Sequence, residues 1–469
     1  MFGFGKKNES EPTVVADVDA ENNAPRKGWK ETMMPVFACG SGLFSDGYIN
    51  NVIGSVNTIL TTQYGVIYTK SSASQYVASI AFAGIVVGQL LFGYLSDRWS
   101  RANSLTLSTI ILIVFTALAT GSYWKGEALG MFSMLTAWRF FVGVGIGGEY
   151  PAGSVGAAES TGELKAVVIA SASSNYEVMW RTSLGVGVIF PLVLLYLRFK
   201  LEEPEDFSKN SMRQNTPYLL VFRFYGFRLF CVSLVWFLYN FSVYAFGIYS
   251  SKILVDIYGE GAPLSKIFGW NTVITLFYLP GSILGAFISD WIGPKHALAF
   301  GVLAQALVGF IMAGVYAKIS QHVAAFAIVY GVFLSLGEIG PGNNIGLLAA
   351  KTCATGVRGR YYGIAAAVGK IGAFIGTYVF PEISKAGGSN ATKSAQYPFW
   401  VASSLCVLSA IVTLTLVPTV GQDTISKEDE RFRAYLESRG WDTTQLGLAK
   451  TPASETPETV VVSKASEKQ

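Results

Sequence analysis

Charge is what this chain has least of. Only 14% of its 469 residues are Asp, Glu, Lys or Arg, against roughly 25% in a soluble protein. Histidine and cysteine are scarce too, with two of the first and four of the second. His296 and His322 fall at the edges of apolar runs, and no nucleophile–base pair or metal cluster assembles around them. Neither an enzyme nor a bound cofactor is expected. Cys39, Cys231, Cys353 and Cys406 lie in or beside apolar runs without ligand spacing, which argues against a disulfide framework. The net charge of +4 is spread over short connections, so nucleic acid is not an expected partner. Residues 1–32 are polar and lead directly into a long apolar run, with no short apolar core and cleavage site. No removable signal peptide is expected, and the first span directs insertion.

Apolar runs fill the space that charge leaves. Hydrophobic residues make up 51% of the chain, and they recur in stretches of about 20, the length that crosses a bilayer. Spans are predicted at 34–60, 76–97, 104–123, 129–158, 184–197, 226–249, 270–291, 296–315, 322–350, 360–383 and 398–418. The pattern is that of an all-α polytopic membrane protein whose solvent is the lipid bilayer. It divides into a tail at 1–32, a first half at 33–197, a polar connection at 198–225, a second half at 226–420 and a polar tail at 421–469, whose far end is predicted to be disordered. With the N-terminus inside, the inner loops hold thirteen Lys and Arg and the outer loops seven, as the positive-inside rule asks. The sequon at Asn390 then lies outside.

The halves repeat. GQLLFGYLSD (88–97) matches GSILGAFISD (281–290), and GGEYP (147–151) falls on GPGNN (340–344), both at an offset of 193. Asp46 falls beside Asn240 at an offset of 194. Repeats of this kind place a transporter's site between the halves, near the midplane. The last spans of the two halves, 184–197 and 398–418, are instead offset by about 215–220, so about one span's worth of chain is missing. The shortfall lies between Lys165 and Thr182. This chain is therefore expected to hold about eleven spans, with the fifth largely absent near 166–181.

GYLSDRWSR and SDWIGPK resemble the loop signature of the major facilitator superfamily. RFFVGVGIGGEYPAGSVGAAES and TCATGVRGRYYGIAAAVGKIGAFIGT resemble its phosphate:proton symporter branch. GLFSDGYINNVIGSVNTIL, WFLYNFSVYAFGIYSSKI and RFRAYLESRGWDTTQLGL look most like fungal glycerophosphoinositol permeases. The likeness covers about 30–450. It implies a major facilitator fold of two six-helix repeats in a fungal plasma membrane, with both termini cytoplasmic in an intact twelve-span form. It also implies proton-coupled uptake of a glycerophosphodiester such as glycerophosphoinositol, by a monomer. An inorganic phosphate:proton symporter is the nearest alternative. A non-transporting sensor or a defective remnant is another, because of the missing span.

Several polar residues inside the spans carry this expectation. Asp46 is a lone acid in the first span, a site hypothesis by default, and the family pattern makes it proton-coupling. Glu149 and Tyr150 match an Asp-Tyr pair of that pattern; a desolvated Glu can load a proton, and Tyr can donate to phosphate. Arg139 lies ten residues before Glu149, about 15 Å along a straight helix, too far for a direct pair. Lys370 is a mid-span cation that requires an anion; the family places substrate there, and an ion pair with Glu338 is the alternative. Trp236, Asn240 and Tyr244 share a helix face. Asn240 replaces an Asp of the family pattern and cannot titrate. Asn343 is a further substrate candidate, beyond a bend expected at GPG (340–342). Asp97, Arg98, Arg101 and Asp290 lie at the inner face and are read as gating residues.

Overall fold

The computed structural model describes residues 47–49, 51–149, 175–199, 216–259, 261–421 and 424–446. Asp46 and Tyr150 lie outside them. Among the described residues every regular element is helical, as a chain with few charges needs if its backbone groups are to be satisfied in lipid. The first half holds α1 (51–64), the short α2 (Val66–Lys70), α3 (Ala73–Arg98), α4 (Arg101–Thr120), α5 (Ala128–Gly148), α6 (Tyr176–Val186) and α7 (Ile189–Arg198). The second half holds α8 (Tyr218–Tyr258), α9 (Leu264–Leu276), α10 (Tyr278–Ile292), α11 (Pro294–Ile319), α12 (Val323–Gly337), α13 (Asn343–Lys351), α14 (Arg358–Lys385) and α15 (Ala391–Leu416). A π turn at Glu338–Gly342 joins α12 to α13, and α16 (Thr424–Ser438) follows the last span. Ten helical stretches of the described residues are long and apolar enough to cross a membrane.

Small residues set the packing. Lipid tails are as apolar as leucine, so helices associate by close contact rather than by escape from water. A Cβ on Gly84 of α3 would sit 1.9 Å from the carbonyl oxygen of Phe140, and one on Gly143 of α5 would sit 2.0 Å from that of Ala81. No side chain fits in either gap. The glycine-rich signature of α5 thus meets α3 through Gly143 and Gly147, and α4 through Gly145 and Gly148. The outward faces carry the bulk: Phe300, Leu303, Leu307 and Ile311 recur every three to four residues along α11, all exposed, which marks a lipid-facing stripe.

The two halves meet where α3 runs antiparallel to α14. Gln75 Nε2 donates to Glu382 Oε1 at 3.3 Å at one end, and Asp97 accepts from α14's backbone at the other. Between them Gly363 lies against Gln89, where an added Cβ would be 2.7 Å from the Gln89 carbonyl oxygen.

The repeat predicted from sequence locates the sixth helix. α15 packs against α11 and α8, and the pair α6–α7 packs against α4 and touches the first helix through the hydroxyl of Tyr48, which donates to the Ser183 carbonyl at 2.8 Å. Asn175 caps α6 as Asn390 caps α15. The sixth helix therefore starts at Tyr176, earlier than the expected 184, because NYEVMW supplies its cap and first turns. Among the described residues no helix stands in the first half where α14 stands in the second. Glu149 and Asn175 are joined by 25 residues, 150–174; their images Gly342 and Asn390 are joined by 47, 343–389, which hold all of α13 and α14.

One other boundary differs from expectation. The connection drawn at 198–225 gives way to helix at Tyr218, because Tyr225 is buried against Tyr361 and Phe432. Within the polar tail, Phe432 and Leu436 of α16 join a cluster with Tyr225, Cys353, Ala354 and Val357; the far end, predicted to be disordered, lies outside the described residues.

Candidate functional site

The predicted face of α8 is turned toward α14. Trp236, Asn240 and Tyr244 recur every fourth residue and meet Gly369 and Lys370. A Cβ on Gly369 would lie 2.6 Å from the Trp236 ring and 3.1 Å from Asn240 Nδ2, so the missing side chain opens room for both. Lys370 is 1% exposed. Its ammonium donates to the Tyr244 hydroxyl and lies 4.0 Å from the Tyr244 ring centroid and 5.7 Å from that of Phe82. Aromatic faces attract a cation more strongly once water is excluded. Phe82 belongs to α3, so both halves contribute to the cage. Trp236 stands edge-on to Tyr362, 5.4 Å between ring centroids.

Two amides nearby are buried with unused capacity. Asn240 is 2% exposed and its Nδ2 has no partner; Gln89, also 2% exposed, has none for either amide atom. A cation, aromatic faces and spare amide donors at the seam suit a singly charged phosphate ester with a polar head. Gln89 was not among the sequence candidates, although it was the one amide within the repeated GQLLFGYLSD.

Other expected residues are held elsewhere. Glu149 was placed on the central cavity, but its carboxylate is directed at α4 and α7. Arg198 grips it with Nη1 to Oε1 at 2.6 Å and Nη2 to Oε2 at 2.5 Å, and Ser108 and Thr109 donate to Oε1 at 3.2 and 3.0 Å. Sequence reasoning had counted Arg198 only as a loop cation. Arg139 is buried within the first half. Its Nη1 donates to the Ile49 carbonyl at 3.0 Å, while Nε and Nη2 have no partner. Asn343 and Asn344 complete the π turn. Asn343 Nδ2 donates to the carbonyls of Glu338 and Ser282, and Asn344 Nδ2 to those of Ile339 and Gly340. These amides add side-chain donors to the turn, and Asn343 also ties it to α10 through Ser282. Glu338 sits in the same turn, against Gly342.

The gating candidates separate. Asp97 is 1% exposed and caps α14: Oδ1 accepts from Gly359 N at 3.2 Å and Oδ2 from Arg360 N at 2.9 Å, with Arg360 Nε at 3.8 Å. A carboxylate at a helix N-terminus is favoured by the exposed N–H groups and the helix dipole. Its image Asp290 is exposed. The Arg98 guanidinium lies 5.5 Å from the Tyr94 ring centroid, and Arg101 begins α4. Asn390 is exposed, and its side chain accepts from Lys393 N at 3.0 Å.

Two repeated helical halves, with a polar site at their seam, define a membrane carrier. The chain belongs to the sugar (and other) transporter family, whose model matches residues 33–171 and 201–432. It is 43% identical over 94% of its length to the glycerophosphocholine permease GIT4 of Candida albicans, covering 86% of that protein. It is 45% identical over 88% of its length to the glycerophosphodiester transporter GIT2 of the same organism, covering 84% of it. The match to glycerophosphoinositol transporter 1 of Saccharomyces cerevisiae, at 31% identity, covers 97% of this chain and 93% of that one. It extends over 491 aligned positions against the 469 residues here, so at least 22 residues of the relative have no counterpart. The xylose transporter XylE in its inward open conformation, from E. coli, shares the fold at a TM-score of 0.63 and 17% identity, over 85% of this chain and 99% of that one.

Proposed function

We propose that this protein carries a glycerophosphodiester across the membrane by alternating access, with Lys370 as the charge that receives the phosphate. The observation that carries the reading is the buried ammonium at the seam, caged by Tyr244 and Phe82 from opposite halves and beside the unpartnered amide of Asn240. A site shared by both halves can pass from one side to the other as they rock. The relatives named for glycerophosphodiesters support the substrate class. So does Asn240: a phosphodiester carries no P–OH at neutral pH, so a carboxylate here would find no proton to accept and would repel the anion. The Asp97 clasp on α14 then closes the cytoplasmic end. Asp46 carries the coupling proton.

Uptake of radiolabelled glycerophosphoinositol by cells expressing this chain tests the reading. Uptake that resists excess inorganic phosphate and collapses with the proton gradient supports it. Inhibition by phosphate as strong as by unlabelled diester would favour a phosphate carrier. A second reading rests on the 25-residue link 150–174: a chain short of its fifth helix folds but does not seal. Its outcome is surface expression and ligand binding without gradient-driven uptake.

A further inference from the structure

Gln89 is a buried side chain at the seam whose amide no described residue bonds. Its position on α3 is fixed by its neighbours. Val87, Leu90, Leu91 and Tyr94 are exposed and mark the lipid face. At 100° per residue Gln89 projects roughly opposite that face. Its backbone is wedged between α5 and α14: a Cβ on Gly147 would lie 2.7 Å from its nitrogen, and a Cβ on Gly363 would lie 2.7 Å from its carbonyl oxygen. Both glycines bring the neighbouring helices against it. The amide is thus enclosed, 2% exposed, with neither Nε2 nor Oε1 bonded.

An arrangement of this kind costs stability unless a ligand completes it. Gly363 and Lys370 are seven residues apart on α14, two turns on one face, or about 10.5 Å. Gln89 at Gly363 and Lys370 beside Asn240 are therefore the two ends of one strip. The strip is longer than a single phosphate group. The amide pairs an NH2 donor group with a carbonyl acceptor, and a hydroxyl can answer both because it accepts and donates.

We propose that Gln89 binds a hydroxyl of the glycerol moiety while Lys370 and Asn240 hold the phosphate, which makes Gln89 a residue that separates glycerophosphodiesters from inorganic phosphate. The proposal rests on the phosphodiester reading above and adds the orientation of the substrate within the site. A site built to hydrogen-bond a hydroxyl discriminates against ligands that place none there, and a phosphate held at Lys370 is too short to reach Gln89.

The test uses the purified full chain in detergent, with glycerophosphocholine and inorganic phosphate as probes and Gln89→Met as a variant of similar length. The ligand-free melting temperature of Gln89→Met should equal or exceed that of the unaltered chain, because an unbonded amide is removed. Its affinity for glycerophosphocholine should fall about ten-fold, with phosphate affinity unchanged. Gln89→Asn, which keeps a shorter amide, should fall between. Unchanged glycerophosphocholine affinity in a folded Gln89→Met overturns the proposal, as does an equal loss for both probes. A Gln89→Met that melts lower or fails to fold also overturns it, because the amide would then serve the fold. If the unaltered chain binds phosphate but no glycerophosphocholine, it is the phosphodiester reading that fails.

Discussion

Arg198 and Glu149 lie on different helices, 49 residues apart in sequence, and form a two-point ion pair that is almost completely buried, with 4% and 0% of their side chains exposed. The pair ties the end of α7 to the end of α5, at the place where the first half is shortest of chain. Removing one partner strands a charge in a low-dielectric site, at a cost of about 3–5 kcal/mol, whereas replacing both by apolar residues is much milder. Arg198→Leu should lower the melting temperature sharply, and adding Glu149→Leu should recover most of the loss. If the double variant is as unstable as the single, the ion pair is not what holds α7.

Asp97 closes the seam by capping α14. Asp97→Asn keeps an acceptor but loses the charge that favours the helix N-terminus, worth about 1 kcal/mol, or about a five-fold shift in population. Spin labels at Trp99→Cys and Glu430→Cys report the separation of the halves at this end. The expected outcome in Asp97→Asn is a larger fraction at long distance; an unaltered distance distribution would remove Asp97 from the gate.

The tail helix shields a thiol. Cys353 lies between two spans, buried beneath α16, and burial pushes its pKa well above the ordinary thiol value. Thiolate is the reactive form, so the group stays inert as pH rises through the range where a free cysteine ionises, near ~8.5. Asp429 pins α16 to the same loop, accepting from Thr355 N at 2.6 Å and Thr355 Oγ1 at 2.7 Å. Truncation after Gly421 should raise the rate of maleimide labelling at Cys353 at pH 8 by roughly ten-fold or more, as the thiol returns toward its unperturbed pKa. Equal rates with and without the tail would show that α16 does not cover it.

The shortened link should be visible in the message. The image of residues 150–174 is 22 residues longer. Sequencing the transcript between the codons for Lys165 and Thr182 should return about 22 additional codons, near the length of one span. A mature message without them would make the 25-residue link the natural form.

Much of this architecture was legible because it is periodic. Apolar runs of bilayer length announce the spans, the offset of 193 between GQLLFGYLSD and GSILGAFISD announces the repeat, and the larger offset of the last spans announces its interruption. The face formed by Trp236, Asn240 and Tyr244 was readable from four-residue spacing alone. What escaped depends on partners distant in sequence. Nothing near Arg198 says that Glu149 will take it. Asn343 looks like a ligand-binding amide until its Nδ2 is seen to donate to the carbonyls of Glu338 and Ser282. Gln89 becomes conspicuous only once its neighbours are seen to leave it unbonded. The docking of α16 follows from Tyr225 and Cys353 facing Phe432 and Leu436, a contact between segments some 200 and 80 residues apart.

The central claim is that Lys370 receives the phosphate of a glycerophosphodiester at the seam. Equilibrium binding of radiolabelled glycerophosphocholine to the purified chain and to Lys370→Met measures this directly. The account predicts saturable binding to the unaltered chain and a loss of affinity of about ten-fold or more in the variant, as removal of a charge-assisted hydrogen bond of ~1.5–3 kcal/mol requires. Equal affinity in a folded Lys370→Met would contradict it.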